Sequence, residues 1–295
     1  LDSRAEPVAG RLPRSAALRR SAGFARALRR EPAALVGLAI IGTYLFVAAF
    51  AGVLPLRDPL QLSTERLAPP GGAFFLGTDA LGRDLLSRVI FGARLSMEVA
   101  ALSVLLATLV GGALGLLSGY AGGLVDLVIG RVMDVFFAFP AILLALGIVA
   151  ALGAAPEHVV IAIAVVYTPL FTRVVRGPVL SLKEQSFVEA ARSIGARPAR
   201  IVLRHILPNL TSTIVVQVSL ALSWAVLTEG TLSFLGLSVQ PPDPSWGVML
   251  NEGRQNLEFA IHDAIVPGVA IMLAILGFNL LGDGLRDALD PQQQR

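Results

Sequence analysis

The sequence predicts an all-α protein that crosses a membrane six times, with both chain ends on the cytoplasmic side. Three observations carry this expectation. Of 295 residues, 55% are hydrophobic and only 15% are charged, against about 25% charged in an ordinary soluble domain. The mean hydropathy is +0.72. The apolar residues are also gathered into long uncharged runs, as membrane spans require. This composition excludes a disordered chain and argues against a soluble enzyme. Lys+Arg number 24 and Asp+Glu 21, a net charge of +3, too small to point to nucleic acid. With no cysteine, disulfides, thiolate metal sites and thiol nucleophiles are excluded.

The runs fall at 33–54, 99–117, 135–152, 159–172, 210–228 and 264–282. All but the fourth are long enough to cross about 30 Å of hydrocarbon at about 1.5 Å per residue. The fourth is shorter and contains Pro169, which on its own suits a re-entrant piece. Carried through Val174 and Val175, with Arg173 and Arg176 snorkelling at one end, it is long enough to span. Ala49-Phe50-Ala51 has the look of a signal-peptidase site, but the basic stretch before it and the length of the run favour an uncleaved first span. Basic residues gather on the cytoplasmic side of a membrane. Placing both ends inside puts 18 of the 24 Lys and Arg residues there. The outer minority is Arg57, Arg66, Arg83, Arg88, Arg94 and Arg254.

The chain accordingly divides into a basic cytoplasmic tail over 1–32 and a first span with a long periplasmic loop over 33–98. A five-helix core follows over 99–285, containing a cytoplasmic loop at 177–209, and a short cytoplasmic tail covers 286–295. Residues 14–30 set six arginines among alanines and leucines, which fits an interfacial helix on anionic lipid or a solvated topology anchor. In the long outer loop, Leu85, Leu86, Val89 and Ile90 outline an amphipathic helix over 84–91, lying on the membrane or on a partner. The second outer loop, 236–260, is stiffened by Pro241, Pro242 and Pro244 and followed by Trp246, where interfacial aromatics commonly sit.

The loop 177–209 is patterned as two short helices. Ser186 and Glu189 have the spacing of a capping box, Gly195 suits the residue after a helix end, and Pro198 suits a first turn. Pro208 is expected to close the second helix. Phe187, Val188, Ala190, Ala191 and Ile194 give the first helix an apolar face with no span to bury it, which implies a groove on another protein.

Signals of catalysis are missing. Lys183 is the only lysine, and no glycine-rich phosphate loop approaches it. His158, His205 and His262 lack metal-ligand spacing. No acidic residue lies within a run; the nearest, Glu229, closes the fifth, as a gate or path residue or as a paired or hydrated glutamate near the outer interface. Arg131 and Asp134 are spaced for a local ion pair.

The segment EAARSIGARPARIVLRHILPN, from Glu189 to Asn209, resembles the EAA motif of membrane subunits of bacterial ABC importers. FLGTDALGRDLLSRVIFGARLS (75–96), SFLGLSVQPPDPSWGVMLNEGR (233–254) and FNLLGDGLRDALDP (278–291) resemble the C-type permeases of dipeptide, oligopeptide, glutathione and nickel importers. The resemblance implies a type I ABC importer permease fold of six spans in the bacterial inner membrane. It further implies a heterodimer with a B-type permease, two cytoplasmic ATPases that hold ATP and Mg, and a periplasmic or lipid-anchored solute-binding protein. No cofactor is expected in this chain. It implies ATPase coupling through Glu189, Ala190, Ala191, Gly195, His205 and Pro208, and marks Asp79, Arg83, Asp84 and Trp246 as candidate docking residues on the periplasmic side. The implied function is import of di- or oligopeptides or a peptide-like solute. Rival readings are a nickel importer of the same family, an ion-coupled secondary transporter and a membrane scaffold.

Overall fold

A computed structural model describes residues 31–289. The tail segment 14–30 and the last residues of the chain lie outside the described residues. Every regular element is helical, and among the described residues the only β-type pairings are two isolated bridges. The helices are α1 (Pro32–Phe50), α2 (Leu85–Ala121), α3 (Gly123–Phe137), α4 (Ala141–Leu152), α5 (Pro156–Leu182), α6 (Ser186–Ser193), α7 (Pro198–Ile201), α8 (Leu207–Phe234), α9 (Trp246–Arg254) and α10 (His262–Leu289).

Five helical stretches are long and apolar enough to cross a membrane, and a sixth crossing is the bent pair α3–α4. The third expected span is therefore not one helix. It breaks by 90° between Phe137 and Ala141, where Pro140 bars its preceding residue from the helical region. At 12 residues, α4 covers only about 18 Å. Chain direction shows that the pair makes one return trip, because α2 and α5 run parallel.

That parallel pair is set by a glycine at every fourth position. A Cβ at Gly111 would stand 2.5 Å from the Thr168 carbonyl oxygen, one at Gly115 2.6 Å from that of Thr172, and one at Gly119 2.8 Å from Val179 Cβ. With only hydrogens there, the two backbones come into direct contact, which is how membrane helices associate when both lipid and side chains are apolar. The same device seats α1 antiparallel on α10: a Cβ at Gly37 would lie 2.6 Å from the Leu281 nitrogen and 2.7 Å from the Gly277 oxygen. Pro32, Leu289 and the loop between α5 and α8 consequently share one end of the bundle, called here the loop end. Segments 51–84 and 235–261 share the opposite end.

Two further expectations change. The stretch 84–91 is no separate surface helix; it is the first part of the 37-residue α2. Leu85, Ser87 and Arg88 are buried there, while Leu86, Val89 and Ile90 of the expected apolar side are only half-buried. Pro208 does not close a helix either. Pro198–Phe234 is one continuous helical run of 37 residues. A widened turn over Val202–Ile206, with Leu207 N–H donating to the Val202 oxygen, precedes the proline. Such a turn accommodates a residue that has no N–H to donate.

Candidate functional site

At the loop end, α6 begins at Ser186 with Gln185 as its N-cap and no side-chain capping bond. The expected capping box is absent, so Glu189 stands exposed instead of folding back on its own helix. The far end matches expectation in full. Gly195 has φ +77°, its N–H donates to the Arg192 oxygen at 2.9 Å, and the Ala196 N–H donates to the Ala191 oxygen at 3.0 Å. This paired closure needs a left-handed residue, which glycine supplies without strain.

The apolar face of α6 is split, correcting the expectation that nothing in the chain buries it. Val188 and Ala191 are buried with Val175, Val179, Ile201, Ile206 and Leu210 from the span ends. Phe187 at 41% and Ile194 at 86% exposure remain uncovered, beside exposed Glu189 and Ala190. Arg192 lies over the Tyr120 ring at 5.6 Å, within cation–π range. His205 is half-buried and its carbonyl accepts from Asn209 at 2.6 Å, while Pro208 is exposed. The loop is thus a platform bolted to the bundle, with one short apolar and acidic edge facing out.

The opposite end overturns the docking assignment of four residues. Asp79, Arg83, Asp84 and Trp246 are 2%, 4%, 7% and 0% exposed, so they form no surface. Arg83 Nε donates to Asp79 at 2.5 Å and its Nη2 to Glu252 at 2.9 Å. Arg88, fully buried, reaches Glu252 at 3.0 Å and Asp79 at 3.4 Å, and donates to the Pro242 oxygen at 3.3 Å. Two guanidiniums and two carboxylates cancel, which is the condition for holding charge in a dry site. Asp84 caps α2, accepting from the Ser87 N–H at 3.0 Å and its hydroxyl at 2.6 Å. Trp246 opens α9, a helix the sequence pattern did not show. Its indole donates to the Val89 oxygen at 2.9 Å, and its ring meets Tyr44 edge-on at 5.2 Å. It is a core residue and not an interfacial one.

Between the two ends, Glu229 on α8 is 0% exposed, so it is not a hydrated glutamate. Ser96 and Ser233 stand beside its carboxyl, but neither completes a hydrogen bond of ordinary geometry. Arg131 and Asp134 are 3.9 Å apart and exposed. That is the expected local pair at its long limit, and Asp134 also meets Arg173 at 2.8 Å; Arg176 grips Asp126 through two bonds of 2.5 and 2.6 Å. These arginines tie α5 to α3; they do not snorkel.

Sequence reasoning missed Glu252, Arg88 as a buried group, Ser96, Ser233 and the Asp126–Arg176 pair. One signal was available. Arg83 and Arg88 lay on the outer side against the charge bias, and a cation placed there calls for an acid to neutralise it.

A multi-crossing helical bundle with a built platform on one end and a charge-balanced lock on the other defines the chain as a polytopic membrane protein. Its fold is that of a type I ABC importer permease. The chain superposes on a chain of the MetNI methionine ABC transporter with a TM-score of 0.55 at 17% identity, covering 70% of this chain and 98% of that one. Residues 111–295 match the family model described as binding-protein-dependent transport system inner membrane component, and the chain belongs to that family. Among its relatives, the dipeptide transport system permease protein DppC of Alkalihalophilus pseudofirmus is 44% identical over 90% of this chain and 88% of that protein. The glutathione transport system permease protein GsiD is 46% identical in Pectobacterium atrosepticum, over 90% of this chain and 89% of that protein. GsiD of Escherichia coli O157:H7 is 45% identical over 91% and 89%. The chain is therefore a bacterial inner-membrane transport component and not an enzyme; ATP hydrolysis belongs to partner ATPases.

Proposed function

We propose that this chain is one of two permease subunits forming the path of an ATP-driven importer for short peptides, glutathione-like tripeptides included. The observation that carries the coupling half of this reading is the α6 platform. Val188 and Ala191 fix it to α5 and α8, while Phe187, Glu189, Ala190 and Ile194 point away from the bundle. An element anchored on one side and apolar on the other moves with the spans when a partner moves it. The partner is a cytoplasmic ATPase that binds ATP and Mg, which puts the loop end, and with it Pro32 and Leu289, on the cytoplasmic side. A solute-binding protein delivers the peptide to the opposite end, and a B-type permease completes the path. The peptide half of the reading is supported by relatives at about 45% identity that carry dipeptide and glutathione names.

The test is uptake in proteoliposomes holding both permeases, the ATPases and the binding protein. ATP-dependent accumulation of labelled alanyl-alanine or glutathione is expected. If the binding protein stimulates hydrolysis but neither solute enters, the peptide reading is wrong.

A further inference from the structure

α5 and α8 are joined at the loop end and run antiparallel, and the crevice between them carries polar groups along its length. Near the loop end a groove of about 580 Å³ opens between Val174 on α5, Ser212, Thr213 and Gln217 on α8, and Arg286 on α10. Two helical turns further from the loop, Tyr167 on α5 and Trp224 on α8 take up the same faces, since seven residues return to nearly the same angle. There the Tyr167 and Thr228 hydroxyls meet at 3.1 Å.

Trp224 is 60% exposed, and it lies well inside the helix that ends at Phe234. Among the described residues, neither its indole N–H nor the Gln217 amide has a hydrogen-bond partner. Tryptophan favours the membrane–water boundary, and hydrocarbon offers an amide or an indole N–H nothing to bond. The outer faces of α2 and α3 behave as lipid-facing surfaces do, exposing Leu105, Leu109, Val128 and Val135.

We propose that the α5–α8 crevice lines the water-filled path, with Gln217, Trp224, Thr228 and Tyr167 touching the passing solute. This deepens the importer reading above and rests on it. The lining suits a peptide. It offers neutral donors and acceptors for backbone amides and one exposed aromatic plane for side chains of any kind. Its single charge, Arg286, stands near the loop-end mouth.

The absence of cysteine makes the test direct. Single cysteines replacing Gln217, Thr228 or Leu109 are placed in the full importer in membranes and treated with a membrane-impermeant cationic methanethiosulfonate, with no solute present. Gln217→Cys and Thr228→Cys are expected to react at least about tenfold faster than Leu109→Cys, because a charged reagent stays out of hydrocarbon. Rates as slow as that of Leu109→Cys would mean that lipid or the second permease covers the face, which overturns the inference. Labelling needs no transported solute, so its outcome is separate from the uptake test above. Where wild-type uptake of alanyl-alanine is seen, Trp224→Ala and Gln217→Leu are expected to lower it about tenfold, the scale of one lost side-chain contact. Wild-type uptake by both variants would remove these residues from solute contact.

Discussion

Glu229 is enclosed on every side by its own chain, yet its two oxygens complete no hydrogen bond of ordinary geometry. What the fold needs there first is volume. Glu229→Gln keeps the size and can bond Ser96 and Ser233, so its thermal midpoint is expected within about 2 °C of wild type. Glu229→Ala leaves a cavity between α8 and α2 and is expected to cost about 2–4 kcal/mol. Unfolding of the purified chain in detergent measures both, and a glutamine variant as unstable as the alanine one would show that the carboxyl itself is required. Glu189 is the opposite case. It is exposed and caps nothing, so Glu189→Gln is expected to change stability by less than about 0.5 kcal/mol. If its charge meets a basic group on the ATPase, that variant should assemble normally and still transport poorly per ATP hydrolysed. Full coupling would leave Glu189 without a role in the contact. In the outer lock, Glu252→Ala leaves Arg83 and Arg88 with only Asp79 between them. A loss of about 3 kcal/mol is expected from one broken buried pair, read by the same unfolding measurement; wild-type stability would mean water replaces the carboxylate.

At the level of elements, the interface of α2 with α5 depends on which glycines face it. A methyl at Gly115 would collide with the Thr172 oxygen and Val175, whereas one at neighbouring Gly112 meets nothing within 4 Å. Gly115→Ala is expected to cost about 1–3 kcal/mol by forcing the helices apart. Gly112→Ala should be neutral or stabilising by about 0.5–1 kcal/mol, because it only stiffens the unfolded chain. Equal effects in unfolding experiments would discard the close-contact account. These elements also show what the sequence could express. Long apolar runs are a local property, so all six crossings were legible, as was the Gly195 turn, where one residue type is demanded by one backbone angle. The start of α2 was misplaced because the charged residues in its first turns read as loop, although Arg88 is buried against Glu252 far along the chain. The break at Pro140 lay inside an apolar run, and apolarity does not report direction. Pro208 was read by the general rule for proline, and the widened turn before it obeys a local geometry that the residue pattern does not encode. The α6 platform was half legible: its apolar face was visible, but not which residues the spans would cover.

On the scale of the whole molecule, an even number of crossings places Pro32, Leu289 and the α6 loop at one end, and the lock of Asp79, Arg83, Arg88 and Glu252 at the other. Each end is rigid for a different reason: the loop end through apolar packing under Val188, the other through paired charges and the Trp246 core. The bundle between them, joined by glycine contacts, can therefore carry a movement at one end to the other. That the loop end faces the cytoplasm is the expectation from charge bias, since placing both chain ends inside puts 18 of the 24 Lys and Arg residues of the sequence there. Side-specific labelling of single cysteines tests this, and the structure selects the positions. Ser245 is unsuitable, being fully buried and bonded to Ser233. Ile194 at 86% exposure and Phe259 at 82% are open at opposite ends. Ile194→Cys is expected to react with an impermeant maleimide only in inverted vesicles, and Phe259→Cys only in intact spheroplasts. Reaction of both from one side would break the count of six crossings. A clean exchange of sides would keep the fold but turn the α6 platform away from the compartment that holds ATP, and ATP-driven coupling through this loop would then be ruled out.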